Sequence, residues 1–270
     1  MRVKIAIVMA VIIFWGATTF TLLRREVFLP KAQVQGERSR LFFDPGSLPL
    51  DSWLGIYFKE NKIGYSHSVI TESPAATSAY VAQNRTVLRF SLLGEPTEFV
   101  LDAMAELDEQ GRTVSLDFRL VSEGTRTQVS GRFVGDGLEL QVETGGSTFE
   151  KTLPVSPDIV LSNTVSPLLV VPSLEEGVEY KLDIVDPITL SSSEARITVL
   201  GRERNDVAGK RQELSKVSVQ YQGFTTTAWV TDDGEVVRVE TPLGVTMIKE
   251  TEDEALDRAV KGTELSGDHD

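Results

Sequence analysis

Apolar residues recur at every second position through most of the chain beyond Asp51. That alternation does more than any other feature to restrict the fold. In residues 99–107 (FVLDAMAEL), Phe99, Leu101, Ala103, Ala105 and Leu107 share one face. In residues 114–120, Val114, Leu116, Phe118 and Leu120 alternate with Ser115, Asp117 and Arg119. Leu88, Phe90 and Leu92 flank Arg89 and Ser91 in the same way. The pattern returns at Leu138, Leu140 and Val142, at Tyr180, Leu182 and Ile184, and at Val217, Val219 and Tyr221. A period of two marks a strand with one buried face and one wet face.

Turn signals separate these runs at Glu60-Asn61-Lys62, Glu109-Gln110-Gly111, Gly135-Asp136-Gly137, Gly145-Gly146 and Asp232-Asp233-Gly234. Asp-Gly and Gly-Gly pairs supply the positive φ that tight hairpins need. The sequence thus predicts a mainly β fold: a large curved antiparallel sheet, as a half-barrel or open barrel. Two segments depart from the alternation. Residues 158–174 (DIVLSNTVSPLLVVPSL) are apolar without a period of two and contain Pro167 and Pro172, which suggests a short helical plug. Residues 251–261 read as a helix, with Thr251 and Glu254 spaced as a capping box. Acids open that helix and Lys261 closes it, matching its dipole. Residues 262–270 read as a disordered tail.

The N-terminus has a different character. Residues 5–23 (IAIVMAVIIFWGATTFTLL) contain no charged side chain. At about 1.5 Å per residue they nearly span a ~30 Å hydrocarbon core. The run exceeds the roughly 7–15 residues of a cleaved signal's apolar region, and no A-x-A site follows it. One N-terminal transmembrane helix, retained as a signal-anchor, is expected. Arg2 and Lys4 favour an inside N-terminus against Arg24, Arg25 and Lys31. A short tail before a signal-like run sends the remainder across. The expectation is a single-pass protein of the inner (cytoplasmic) membrane with its C-terminal domain in the periplasm. The expected layout is a cytoplasmic tip and anchor over residues 1–25 and a Pro-containing stalk over 26–50. An antiparallel β domain follows over 51–250, then a short helix and tail over 251–270.

Charge and composition narrow the function. The chain carries a net charge of -13. Residues 1–50 hold seven Lys and Arg against three acids, leaving 20 against 37 in the remainder, a net -17 there. Such a surface repels phosphate backbones and anionic lipid head groups, so nucleic acid is not an expected partner. There is no cysteine, which removes disulfides, thiolate metal sites and cysteine nucleophiles. His67 and His269 are the only histidines, too few for a histidine-rich zinc site. Asp232-Asp233 lacks the spaced oxygens of a calcium loop and reads as a hairpin turn.

Ser66 and His67 are adjacent, so on a strand they face opposite ways and cannot pair. No G-x-S-x-G elbow, Walker A loop or G-x-G-x-x-G is present. A hydrolase using His67 is therefore the weakest of the readings. No enzyme activity, metal or cofactor is expected. The apolar face offers two readings. One is an ordinary core. The other is a cavity for a lipid or acyl chain lined by Phe90, Phe99, Leu101, Phe118 and Leu120.

Residues 53–65 (WLGIYFKENKIGY), 227–244 (TAWVTDDGEVVRVETPLG) and 252–255 (EDEA) carry a resemblance. Together they resemble the β-rich region N-terminal to the catalytic domain in membrane-anchored bacterial transglutaminase-like proteins, over about residues 52–256. The layout is also similar to periplasmic lipoprotein-carrier-like half-barrel domains, in which a curved sheet wraps a helical plug. The chain is expected to end where that catalytic domain would begin. It has no cysteine nucleophile, so the resemblance implies scaffold and not catalysis. The resulting expectation is a non-catalytic, membrane-anchored extracytoplasmic module, accessory to an envelope enzyme or transporter. The alternative is a hydrophobic-ligand carrier or sensor using the apolar face.

Overall fold

The computed structural model describes residue 46 and residues 48–92, 95–135, 137–161, 174–207, 210–232 and 234–257. The expected anchor at 5–23, the stalk as far as residue 45, and the tail lie outside these. Among the described residues no helix is long and apolar enough to cross a membrane.

The described residues form one fifteen-stranded sheet that does not close into a barrel. The first eight strands are β1 (Leu50–Phe58), β2 (Asn61–Glu72), β3 (Tyr80–Leu92), β4 (Glu95–Leu107), β5 (Thr113–Ser122), β6 (Thr125–Val134), β7 (Gly137–Thr144) and β8 (Ser147–Leu153). The remainder are β9 (Ile159–Leu161), β10 (Glu179–Asp186), β11 (Ser191–Val207), β12 (Lys210–Tyr221), β13 (Phe224–Val230), β14 (Val236–Glu240) and β15 (Val245–Glu250). A short helix α1 (Glu252–Leu256) follows.

Spatial order runs from β8 back to β1, then across to β15, and down to β9. Each strand pairs with its sequence neighbours except that β8 and β9 form the two edges, and at one seam β1 meets β15 from Trp53↔Glu250 to Phe58↔Val245. The sheet is therefore two meanders joined where the chain enters and leaves. Pairing is antiparallel except for the short β9, which runs parallel to β10.

Tight corners hold the hairpins. Gly145 and Gly146 turn β7 into β8 with φ of 56° and 79°. The β1–β2 corner differs from the sequence expectation. Lys59 and Glu60 occupy it at φ 46° and 71°, and Asn61 already pairs with Phe58. A register shift at Ile56/Tyr57 sets this corner, so the extra residue Ile63 turns inward and packs in the core.

One face of the sheet, here called inner, carries two apolar clusters. The first gathers Leu101, Leu116, Phe118, Val129, Leu138, Leu140, Val142 and Leu153 from β4 to β8. Val155 joins it from just beyond β8, and Ile159 and Val185 join it from the opposite end of the sheet. Thr113 binds that end to β5: its N–H donates to Pro157 O at 3.0 Å and its hydroxyl to Ile159 O at 3.3 Å. The two edges of the sheet therefore share a core without sharing a ladder. The second cluster gathers Leu54, Ile56, Ile63, Ile197, Val199, Val217, Ala228, Val230, Val239 and Met247. Each such side chain contributes roughly 1.5–3 kcal/mol by leaving water.

The expected helical plug over 158–174 is corrected at its start. Ile159–Leu161 is strand β9, and residues 162–173 lie outside the described ones. A short apolar run can be strand or helix, and here a parallel ladder to Asp183, Ile184 and Val185 decides it. The capping box at Thr251 and Glu254 is present as expected.

Two glycines in the first hairpin are there for space. A Cβ at Gly64 would sit 1.9 Å from Val87 O, and one at Gly55 would sit 2.4 Å from the Glu250 carboxylate. That carboxylate accepts from the Tyr57 hydroxyl, and from Lys62 Nζ at 2.6 Å. Lys62 also donates to Glu254 O, which ties α1 to the hairpin. Burial, the hydrogen bond to Glu250 and the charge of Glu250 together push the Tyr57 phenol well above its usual value.

Gly64→Ala should lower stability by about 1–3 kcal/mol, because the backbone of β3 must move to admit a methyl group. Urea denaturation followed by tryptophan fluorescence measures it, and an unchanged midpoint would show that β2 and β3 separate freely here. The raised Tyr57 pKa gives a second expectation. The unfolded phenol ionises first, so this stabilisation is complete below about pH 10 and is lost as the pH rises beyond it. The fall in melting temperature between pH 9 and 11 should be shallower in Tyr57→Phe than in the parent.

Candidate functional site

The five residues singled out for an apolar cavity do come together. Leu101 lies opposite Leu120, and Ala103 lies opposite Phe118, across β4 and β5. Phe90 stacks on Phe99 with ring centroids 5.5 Å apart and planes 10° from parallel. Phe99 and Leu120 pack against the cluster that contains Leu101 and Phe118. Leu101 and Phe118 are 4% and 2% exposed, values of packed core side chains.

Between the two apolar clusters lies a polar seam that the alternation did not reveal. Ser66 and Thr86 face each other across β2 and β3, as do Ser68 and Asn84. Asn84 Nδ2 donates to Ser66 Oγ and to Ser68 Oγ, each at 2.8 Å, and reaches His67 O at 3.3 Å. Thr86 Oγ1 lies 3.0 Å from both Ser66 Oγ and Asn84 Oδ1. Ser66, Asn84 and Thr86 are all buried. These groups are neutral hydroxyls and an amide, so they satisfy one another but supply neither an acid nor a base. His67 points to the other face, as the adjacency of Ser66 and His67 implied.

The outer face of the same strands carries an open cleft of about 530 Å³. Its axis is a row of residues in cross-strand register: His67↔Arg85↔Asp102↔Arg119↔Gln128. On one side runs Val69↔Gln83↔Met104↔Asp117, and on the other Tyr65↔Val87↔Val100↔Val121. The row is knit by charge. Arg85 Nη1 lies 3.4 Å from Asp102 Oδ1. Arg119 grips the second oxygen, with Nε at 3.1 Å and Nη2 on the same atom. One carboxylate thus serves two guanidiniums.

Arg126 donates to the Gln128 side-chain oxygen and has no carboxylate partner among the described residues. Asp117 accepts from Ser130 Oγ at 2.7 Å. At the near end the His67 ring stacks on Trp53 at 3.8 Å, and its Nε2 lies 2.9 Å from Asp51 Oδ1. Among the described residues no group of three or more His, Cys, Asp or Glu side chains could hold a metal ion. What this arrangement can do is bind. It offers guanidinium and amide donors on a fixed sheet, beside a thioether and a valine.

No protein-family model matches the chain. No curated protein matches it either. Solved structures that resemble it in part include two proteins of domains of unknown function. A β-barrel-like protein of the domain of unknown function DUF1849 from Brucella abortus has a TM-score of 0.49 at 10% identity, over 75% of this chain and 94% of that one. A DUF1089 family protein from Pseudomonas aeruginosa has a TM-score of 0.35 at 17% identity, over 62% of this chain and 90% of that one.

The seam and the row should respond differently to substitution. Asn84→Ala strands buried hydroxyls and should cost about 1–3 kcal/mol. Asp102→Asn breaks half-exposed ion pairs and should cost less than about 1 kcal/mol. Chemical denaturation of both variants checks the contrast, and equal costs would mean that the row is as structural as the seam.

Proposed function

We propose that this protein is a non-catalytic binding module held at the cytoplasmic membrane by residues 5–23, with its β sheet on the extracytoplasmic side. Its working surface is the charged cleft on the outer face of β2–β6, and its partner is another component of the cell envelope, such as an enzyme or transporter. The cleft itself is the observation that carries this reading: it is open, polar and built on five adjacent strands. Sites built on rigid strands hold their side chains more accurately than sites on loops. The Ser66 seam, the other polar cluster on these strands, is sealed and uncharged.

The carrier alternative would use the inner face instead, through Phe90, Phe99, Leu101, Phe118 and Leu120. The low exposure of Leu101 and Phe118 favours the cleft over that face.

Site-specific photocrosslinking in intact cells separates the two. A benzoylphenylalanine at Val69, in the cleft, should give a discrete adduct in the membrane fraction, while one at Lys181 on β10 should not. Native mass spectrometry of the gently extracted protein should show no stoichiometric lipid that lacks a phosphate group. Adducts at neither position, together with a stoichiometric lipid, would transfer the function to the inner face.

A further inference from the structure

We propose that the cleft is a receptor for a phosphate group, taken between the guanidiniums of Arg119 and Arg126 with Arg85 behind them. This rests on the reading of the cleft as the working surface and names the chemistry that it recognises.

Register supplies the first argument. Arg119 lies opposite Gln128 across β5 and β6, so Arg126, two residues earlier on β6, is its diagonal neighbour on the same face. Such positions are roughly 7–8 Å apart, within the span of two long side chains that share one anion. Guanidinium is planar and presents its N–H groups as a fork that matches phosphate oxygens.

Charge supplies the second. The cleft is lined by Arg85, Arg119 and Arg126 against Asp102 and Asp117. Asp102 is divided between Arg85 and Arg119, and Arg126 meets only a neutral amide oxygen. Like charges on neighbouring strands repel. In a chain with 40 acids and 27 Lys and Arg, acidic partners are not scarce, yet Arg126 forms no ion pair among the described residues.

The third argument is the fixed amide. Gln128 Oε1 is held by Arg126, which turns the Gln128 NH₂ away from that guanidinium as a further donor. Size is the fourth. About 530 Å³ falls in the range of small-ligand sites, roughly 300–1,000 Å³, room enough for one phosphate-bearing group.

The phosphate could belong to a soluble monoester or to a phospholipid head group, and two probes tell these apart. Full-length protein in a neutral detergent is titrated calorimetrically with glycerol phosphate and, separately, with dihexanoyl phosphatidylglycerol below its micellar concentration. At least one should bind saturably and more weakly as sodium chloride is raised. Arg119→Gln and Arg126→Gln should each weaken that binding about tenfold, a typical consequence of removing one charge-assisted contact. Arg89→Gln should leave it unchanged, since Arg89 pairs with Glu98 outside the cleft.

Binding of glycerol phosphate assigns a soluble ligand, and binding of the lipid alone assigns a head group. Circular dichroism confirms that the variants fold. Binding of neither probe, or binding indifferent to Arg119 and Arg126, overturns the proposal. If the Val69 adduct persists in that case, the binding module stands and only its phosphate chemistry falls. Phosphate binding without any Val69 adduct would leave the receptor standing and remove the protein partner.

Discussion

The pairing of β1 with β15 is the constraint on which the rest of the sheet depends. Every hairpin in the molecule is local, and local hairpins alone would give two separate meanders. Six register pairs, from Trp53↔Glu250 to Phe58↔Val245, fuse them. The fusion brings Met247 against Ile56 in one core and puts the Glu250 carboxylate over Gly55 on the other face. That carboxylate then gathers Tyr57 and Lys62, and Lys62 secures α1. A contact nearly two hundred residues apart in sequence thus fixes the entry, the exit and the capped helix together. Such a contact is slow to find, because loop closure must precede its reward.

The alternation of side chains then divides the labour between faces. Midway along β2 and β3 the inward positions hold Ser66, Ser68, Asn84 and Thr86, not aliphatic residues, and this seam separates the two apolar clusters. A polar seam of that kind costs little only when every member is satisfied, and its hydroxyls and amide bond one another. It also fixes register, since a slip of one residue would send Asn84 to solvent and Arg85 into the interior. The outer row of His67, Arg85, Asp102, Arg119 and Gln128 therefore inherits its alignment from the buried seam beneath it.

The strands of β4 and β5 were legible because their apolar residues alternate, and the Gly145-Gly146 corner because glycine adopts its positive φ at the least cost. Lys59-Glu60 was not legible. Asn61 is the better left-handed residue, but the register shift at Ile56/Tyr57 moves the corner one step earlier. The start of the expected plug was misread for a different reason. Ile159–Leu161 carries no period of its own, and its partner Asp183–Val185 lies across a long stretch of chain. For the cleft, the sequence showed that Arg85, Asp102 and Arg119 belong to wet faces. It could not show that they are neighbours, because neighbourhood depends on two successive hairpin registers. The five apolar residues depend on the same registers, and alternation showed only that they share a face.

The sharing of Asp102 bears on what the cleft can bind. An exposed ion pair contributes little to stability, about 0–1 kcal/mol, so Arg85 and Arg119 are not held together for the sake of the fold. Their common anchor has another consequence. A free arginine side chain carries about 2 kcal/mol of rotamer entropy, which a ligand must overcome on binding. Guanidiniums already oriented by a fixed carboxylate lose less when an anion arrives. Arg126, tied to Gln128, is oriented without being neutralised. The proposed receptor thus combines two arginines aligned by charge with one aligned by an amide, and the last keeps its full charge for the ligand.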